Sequence, residues 1–231
     1  MPEPATVLWD LDGTLVDSEP LHHAAIERLL SARGIQAPAG FQQKVIGLPA
    51  FATYMQCREL GYDGSFDEWS EAKYRHYLKR APGIVPHAAP IGAYRSLAER
   101  GRAQAIVSNS DRLIVQANLA AAGLQRPDQI TVSRNDVREG KPAAEPYLRA
   151  AWLLGVSPEH CIVVEDSAAG ATAGVAAGMR VIVLAPDDRD GPDWPDGVAR
   201  VLRLPTLTAE DLVECIDELS RKTNHHIKAA R

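Results

Sequence analysis

The sequence predicts an α/β fold: a mostly parallel sheet with helices on both faces, plus a small α-helical domain inserted after the first strand. Three observations carry this. Short apolar runs rich in Val and Ile recur along the chain and have the length of buried strands. The stretches between them read as helices that stop at glycine. After the first run, the alternation is suspended for far longer than the roughly 2 to 6 residues of an ordinary βα loop.

The first strand is read at Thr6 to Trp9. From about Val16 to about Pro86 no strand and helix alternation follows, but Leu21 to Ala32, with Gly34 behind it, and roughly Phe66 to Lys79 have helical character. This stretch holds all three Phe and four of the six Tyr, so it reads as a helical insertion rather than a loop. A segment leaving the carboxyl end of a parallel strand emerges on the face where ligands bind in open α/β sheets, so it is placed to act as a lid. The expected division is a core of residues 1–15 and 87–231 and a cap of residues 16–86.

Within the core, a helix is read over Ser96 to Gly101, a strand over Ala103 to Val107, a helix over Asp111 to Gly123 and a strand over Gln129 to Val132. A helix over Ala143 to Gly155, a strand over Cys161 to Val164, a helix over Ser167 to Gly178 and a strand over Val181 to Ala185 complete the rhythm. The strands are near-continuously apolar, as expected for a Rossmann-like sheet covered on both faces. The last helix contains Gly170 and Gly174, although interior glycine costs about 1 kcal/mol relative to Ala. Their spacing puts both on one face, which suits a close approach to the sheet or to its active edge.

The 231 residues, 45% hydrophobic and 24% charged, suffice for a well-packed core and exclude both a miniprotein and a disordered chain. The net charge of -5, with Lys and Arg scattered, argues against nucleic acid as a partner. No segment reaches the roughly 18 apolar residues of a membrane span, and Met1 to Thr6 has no signal-peptide character. Cys57, Cys161 and Cys215 are widely spaced and form neither a disulfide framework nor a zinc pattern, which fits a cytoplasmic setting. A small molecule is the expected partner; the oligomeric state stays open, with a monomer favoured. The basic tail from Arg221 to Arg231 reads as a frayed terminus.

Three strands end in polar residues that an apolar strand does not need: Asp10 and Asp12, Ser108 and Asn109, and Glu165 and Asp166. In a parallel sheet these converge on one edge. Gathered carboxylates repel one another unless a cation intervenes, and an all-oxygen set completed by water and a phosphate favours Mg²⁺. Asp10 and Asp12 lie two positions apart before Gly13, so two carboxylates can divide labour between nucleophile and proton carrier. An Asp pair before Gly is equally an ordinary turn signal. Lys141, just before a helix N-terminus, gains nothing from the helix dipole and could neutralise a phosphoryl group, while the bland reading is a solvated loop lysine. Ser108 and Asn109 could donate to phosphoryl oxygens, or could be strand-end residues ahead of Asp111 as a helix N-cap.

Taken in order, Asp10-Leu11-Asp12-Gly13-Thr14-Leu15, Ser108-Asn109, Lys141-Pro142 and Glu165-Asp166-Ser167 with Gly170 resemble the four motifs of the haloacid dehalogenase superfamily. The chain is most similar to the β-phosphoglucomutase-like phosphatase branch, cap included. That resemblance implies Asp10 as nucleophile, Asp12 as general acid/base, Ser108 and Asn109 as phosphoryl-binding residues and Lys141 as charge partner of nucleophile and phosphate. It further implies Mg²⁺ held by Asp10, Asp166 and the Asp12 carbonyl, with Glu165 in or next to the metal shell. His22 aligns with a histidine that handles protons and substrate in the mutase-like branch, or is simply solvated beside His23.

Within that resemblance, the presence of Asp12 implies phosphoryl transfer rather than carbon-halogen cleavage. Val45 to Phe51 offers no basic residue for a second phosphate, which tells against a mutase. The resulting expectation is a Mg²⁺-dependent phosphatase acting on a small phosphorylated metabolite, first a sugar phosphate. The alternatives are a phosphosugar mutase and a phosphate-binding regulatory protein without turnover. Tyr54, Trp69 and Tyr74 are available to set specificity, although aromatics at helical spacing are more often core.

Overall fold

The computed structural model describes residues 5–186 and 194–229. The first four residues of the Met1 to Thr6 reading and the last two of the basic tail therefore lie outside the described residues. The strands are β1 (Thr6–Trp9), β2 (Val16–Asp17), β3 (Val85–Pro86), β4 (Gln104–Val107), β5 (Ile130–Val132), β6 (Cys161–Glu165), β7 (Arg180–Ala185) and β8 (Arg200–Arg203). The helices are α1 (Glu19–Ser31), α2 (Phe41–Val45), α3 (Ala50–Glu59), α4 (Phe66–Arg80), α5 (Ala88–Glu99), α6 (Arg112–Ala121), α7 (Glu145–Leu154), α8 (Ala168–Ala176) and α9 (Ala209–Ala229).

A six-stranded sheet runs β5-β4-β1-β6-β7-β8, and every pairing in it is parallel. Counted along the sheet's own strands this is the doubly wound order that reverses direction at its first strand. The reversal places β4 on one side of β1 and β6 on the other, so the loops leaving these strands diverge and open a crevice at their carboxyl ends. Residues alternate across the sheet because successive side chains point to opposite faces. Val7, Trp9, Ile106, Ile162, Val164, Ile182 and Leu184 pack under α5, α6 and α9. Leu8, Ala105, Val107, Val163, Val181 and Val183 pack under α7 and α8. Burial of each large aliphatic side chain contributes about 1.5 to 3 kcal/mol.

Glycines close the helices as the sequence implies; Gly123 and Gly155, with φ of 65° and 68°, adopt the left-handed conformation that only glycine takes without strain. The close-approach reading of the interior glycines also holds. A Cβ on Gly174 would lie 2.8 Å from Val181 Cγ2, so glycine lets α8 lie directly on the sheet.

Other features differ from the sequence reading. The helix read from Ser96 begins at Ala88, because Pro90 fits a first turn and Gly92 is required by a crossing helix: a Cβ there would lie 2.8 Å from Ala209 Cβ. The last strand, β8, is mostly exposed and lacks an apolar run. The tail read as frayed is helical through Ala229 as the end of α9, whose buried Leu212, Ile216 and Leu219 lie ahead of it.

Between β2 and β3, which pair antiparallel, α1 to α4 gather round their own cluster of Ile26, Leu29, Leu30, Phe41, Tyr54, Cys57, Tyr62 and Trp69. Tyr54 and Trp69 are therefore core residues. A capping box between Ser65 and Glu68 starts α4, and Ala25, Tyr77 and Ala81 pack with Ile114 of α6, seating the helical segment on the sheet layer. The three cysteines are buried and none is in a disulfide among the described residues. No helix among the described residues is long and apolar enough to cross a membrane.

Candidate active site

Asp10 follows β1 directly, and its N–H donates to Val164 O at 2.9 Å, extending the ladder with β6 to the mouth of the crevice. The chain then turns sharply: Gly13, at φ of 91°, donates from its N–H to Val16 O at 2.8 Å. A Cβ on Gly13 would lie 2.1 Å from Asp166 Oδ2, so both the backbone angle and the neighbouring carboxylate require glycine. The buried Thr14 hydroxyl donates to Asp166 Oδ1 at 2.8 Å. The turn that follows Asp10 thereby fixes the Asp166 carboxylate of a different strand.

Lys141 is buried, and its ammonium donates to Asp10 Oδ1 at 2.5 Å, Glu165 Oε1 at 2.6 Å and Val107 O at 2.9 Å. A solvated loop lysine is thus excluded. Burial alone would pull its pKa down, but Asp10 and Glu165 outweigh this and hold it above the ordinary lysine value. Glu165 is fully buried and accepts five hydrogen bonds, from Lys141, from the Tyr147 hydroxyl at 2.9 Å, from the N–H groups of Asp166 and Ser167, and from Ser167 Oγ. Gly170 makes room for it, since a Cβ there would stand 1.7 Å from Glu165 Oε1.

Asp10, Glu165 and Asp166 bring ligand oxygens within 4.8 Å of one another, a set able to hold a metal ion. Both Glu165 oxygens are occupied by donors, whereas Asp10 Oδ2 is buried with no hydrogen-bond partner. Burial, then repulsion from Glu165, holds the Asp10 carboxyl well above the usual range despite Lys141. The same two causes push Asp166 up to about 8. A divalent cation between Asp10 and Asp166 would reverse both effects, and hard oxygen donors suit Mg²⁺. The carboxylate of Asp12 stands outside this set.

Asp12 is half-buried and meets neutral donors. Ser108 Oγ donates to its Oδ2 and Asn118 Nδ2 to its Oδ1, each at 2.8 Å. Asn109 is used differently: its Oδ1 accepts from Lys141 N–H at 2.8 Å and its Nδ2 donates to Lys141 O at 3.0 Å, clamping the lysine's main chain. Asp111 stands at the N-cap of α6, but its carboxylate accepts from the Tyr74 hydroxyl of α4 instead of capping the helix. His22 is half-buried against the Tyr77 ring, 4.5 Å between centroids, and its Nδ1 is buried without a partner. Burial, then the nearby Lys73, pushes it down to about 3, so it is neutral rather than a solvated cation.

A family model described as haloacid dehalogenase-like hydrolase matches residues 7–184, which run from β1 into β7. The chain belongs to the haloacid dehalogenase-like hydrolases. It is 32% identical over 213 residues to hexitol phosphatase A of Escherichia coli (strain K12), covering 88% of this chain and 94% of that one. It is 29% identical over 181 residues to fructose-1-phosphate phosphatase YqaB of the same organism, covering 77% and 95%. The β-phosphoglucomutase of Clostridium difficile shares its fold at a TM-score of 0.76 and 20% identity, covering 97% of this chain and 99% of that one. This dehalogenase-like hydrolase is thus an enzyme of the phosphatase branch.

The four motifs of the hydrolase meet at the crevice, but several of its site residues lie outside what sequence reasoning selected. Thr14 was visible only as part of the first motif. Tyr147 and Tyr77 look like ordinary helix core. Asn118 did carry a signal: it is a polar residue on the apolar face defined by Ile114, Val115 and Leu119.

Proposed function

We propose that the chain is a Mg²⁺-dependent phosphomonoesterase that hydrolyses a small phosphorylated metabolite, a sugar phosphate in the first instance, through an aspartyl-phosphate on Asp10. The observation that carries this is the state of Asp10: buried, with one oxygen on the Lys141 ammonium and the other without a partner. Beside it stands Asp12, held by neutral donors only.

In the first half-reaction an Asp10 oxygen forms a bond to phosphorus while the ester P–O bond breaks, and Asp12 gives its proton to the departing alkoxide. In the second, Asp12 takes a proton from water as the water oxygen bonds to phosphorus and the Asp10–phosphorus bond breaks. Lys141 steadies the nucleophile and offsets charge on the phosphoryl group. Ser108 and Asn109 line the phosphoryl end, Asn109 chiefly by holding the Lys141 main chain. Asp10 and Asp166, with the Asp12 carbonyl, would hold Mg²⁺, and Glu165 supports them from behind; the ion supplies positive charge for the phosphate oxygens.

Residues 16–86 form the cap in this reading, with His22 a neutral residue facing the substrate. The names of the two phosphatase relatives support a sugar phosphate as the substrate class. Buried cysteines that form no disulfide among the described residues agree with a cytoplasmic location. The mutase reading gains no support from Val45 to Phe51, which carries no cation for a second phosphate.

The test is phosphate release from a panel of sugar phosphates and small phosphomonoesters, in Mg²⁺ and in chelator, for the wild type beside Asp10→Asn. Release that requires Mg²⁺ and vanishes in Asp10→Asn is expected. Release that survives in Asp10→Asn would overturn the aspartyl-phosphate. Isomer interconversion with a bisphosphate and little free phosphate would replace the phosphatase by a mutase.

A further inference from the structure

We infer that Asn118 is a positioning residue that holds Asp12 by Oδ1 and leaves Oδ2 as the oxygen that carries the proton, and that Tyr77 of the helical segment fixes the Asn118 amide in that orientation. The inference rests on the phosphomonoesterase reading above, which assigns Asp12 the proton transfers.

Asn118 is fully buried on α6 among Ile114, Val115 and Leu119, a place where an amide is costly unless both its ends are hydrogen-bonded. Both ends are. Its Nδ2 donates to Asp12 Oδ1 at 2.8 Å, and its Oδ1 accepts from the Tyr77 hydroxyl at 2.9 Å. Tyr77 is itself fully buried, on α4. The opposite orientation of the amide would set its carbonyl oxygen against the Asp12 carboxylate, acceptor against acceptor. Tyr77 therefore reads the amide from the other side and locks it.

An amide N–H can only donate, so the Asp12 oxygen it holds is an acceptor in either protonation state. Oδ1 spends its accepting capacity on this fixed donor, which favours Oδ2 as the seat of the proton in a neutral Asp12. The partner of Oδ2 is Ser108 Oγ, at 2.8 Å, and a hydroxyl can donate or accept and can turn toward a substrate oxygen. One oxygen is clamped by a fixed donor and the other faces an adaptable one. This asymmetry gives the carboxyl a defined direction for delivering its proton to the leaving alkoxide and for taking one from water.

The experiment measures kcat/KM for the Mg²⁺-loaded full chain on two esters: the best sugar phosphate, whose alkoxide needs a proton to leave, and p-nitrophenyl phosphate, whose phenolate does not. Asn118→Leu keeps the branched skeleton and removes the donor; Asn118→Asp keeps the shape and replaces the donor with an acceptor; Tyr77→Phe removes only the lock. General acid catalysis is commonly worth about 10²- to 10⁴-fold, so Asn118→Leu should lower kcat/KM on the sugar phosphate about 100-fold and on p-nitrophenyl phosphate by less than about 5-fold. Tyr77→Phe should show the same selectivity at smaller size. Asp12→Asn should show it too, and adding Asn118→Leu to Asp12→Asn should cost little more.

Equal losses on both esters in Asn118→Leu, or full additivity with Asp12→Asn, would overturn the positioning role while leaving the phosphatase reading intact. A wild type that releases phosphate from neither ester would overturn both. If Asn118→Asp does not fold, Asn118→Leu and Tyr77→Phe decide the matter.

Discussion

Replacing Lys141 with methionine removes a charge while filling most of the same space with a flexible apolar chain. Three acceptors lose the lysine as a donor: Asp10 Oδ1, Glu165 Oε1 and Val107 O. Asp10 is left with no hydrogen bond to its carboxylate, since its other oxygen has none to begin with. Glu165 keeps Tyr147 and the α8 N-terminal donors. Removing one member of a buried ion pair typically costs about 3 to 5 kcal/mol because the remaining charge is uncompensated. Against a usual total of about 5 to 15 kcal/mol, the variant should still fold.

With a urea m-value near about 3 kcal/mol/M for a chain of this length, the unfolding midpoint should fall by about 1 to 1.7 M. The assay is urea unfolding followed by circular dichroism in chelator, for the wild type, Lys141→Met and Lys141→Met with Asp10→Asn. The double variant should regain part of the loss, because a neutral amide no longer needs the cation. At a pH where the Asp10 carboxyl is ionised, a midpoint for Lys141→Met within about 0.3 M of the wild type would refute the reasoning, since an unpaired buried carboxylate cannot be that cheap.

Asp166 ties stability to pH and to metal. Its folded pKa of about 8 lies above the unfolded value of about 3.9, so the metal-free fold has this contribution in full below the unfolded value and loses it as pH rises through about 8. Measured as the difference between wild type and Asp166→Asn in chelator, stability should decline from about pH 4 to about pH 8 and level off above, and Mg²⁺ should restore more of it at the alkaline end; a rising difference would contradict the assignment. Gly170→Ala should gain about 1 kcal/mol from helix propensity but lose more, because its Cβ would displace Glu165 from its donors. A net loss of about 2 kcal/mol or more is expected in thermal unfolding, and a variant as stable as the wild type would show that Glu165 moves freely.

The central strands were legible because a sheet covered on both faces demands uninterrupted apolar runs, and β1, β4, β6 and β7 obey that demand within a residue of their ends. Convergence of Asp10, Ser108, Glu165 and Asp166 followed from parallel topology alone, since strand ends in such a sheet share an edge. What escaped is what depends on partners distant in the chain. Arg200–Arg203 becomes a strand by pairing with β7, not by composition. Asn109 could be placed near the phosphoryl end from its position, but only the folded loop reveals that its amide is spent on Lys141. Glu165 belongs to the acidic group able to hold a metal ion, as its place beside Asp166 suggests, but only the fold reveals that five donors also make it a support for the lysine. Asn118 and Tyr77 meet across two layers, and neither motif nor periodicity connects them.

The helical segment begins and ends on neighbouring residues of one ribbon, where Val16 faces Pro86 and Asp17 faces Val85. Antiparallel partners lie only about 4.5 to 5.5 Å apart, so the entire excursion from β2 to β3 starts and finishes at nearly one point. To the sheet, such an excursion is a closed loop whose ring-closing cost depends only weakly on its length. The parallel sheet can therefore accept replacements of very different size at this point, provided each newcomer folds with its two ends side by side. The parallel sheet and the helical segment are in this sense separable parts, joined by a ribbon two residue pairs long.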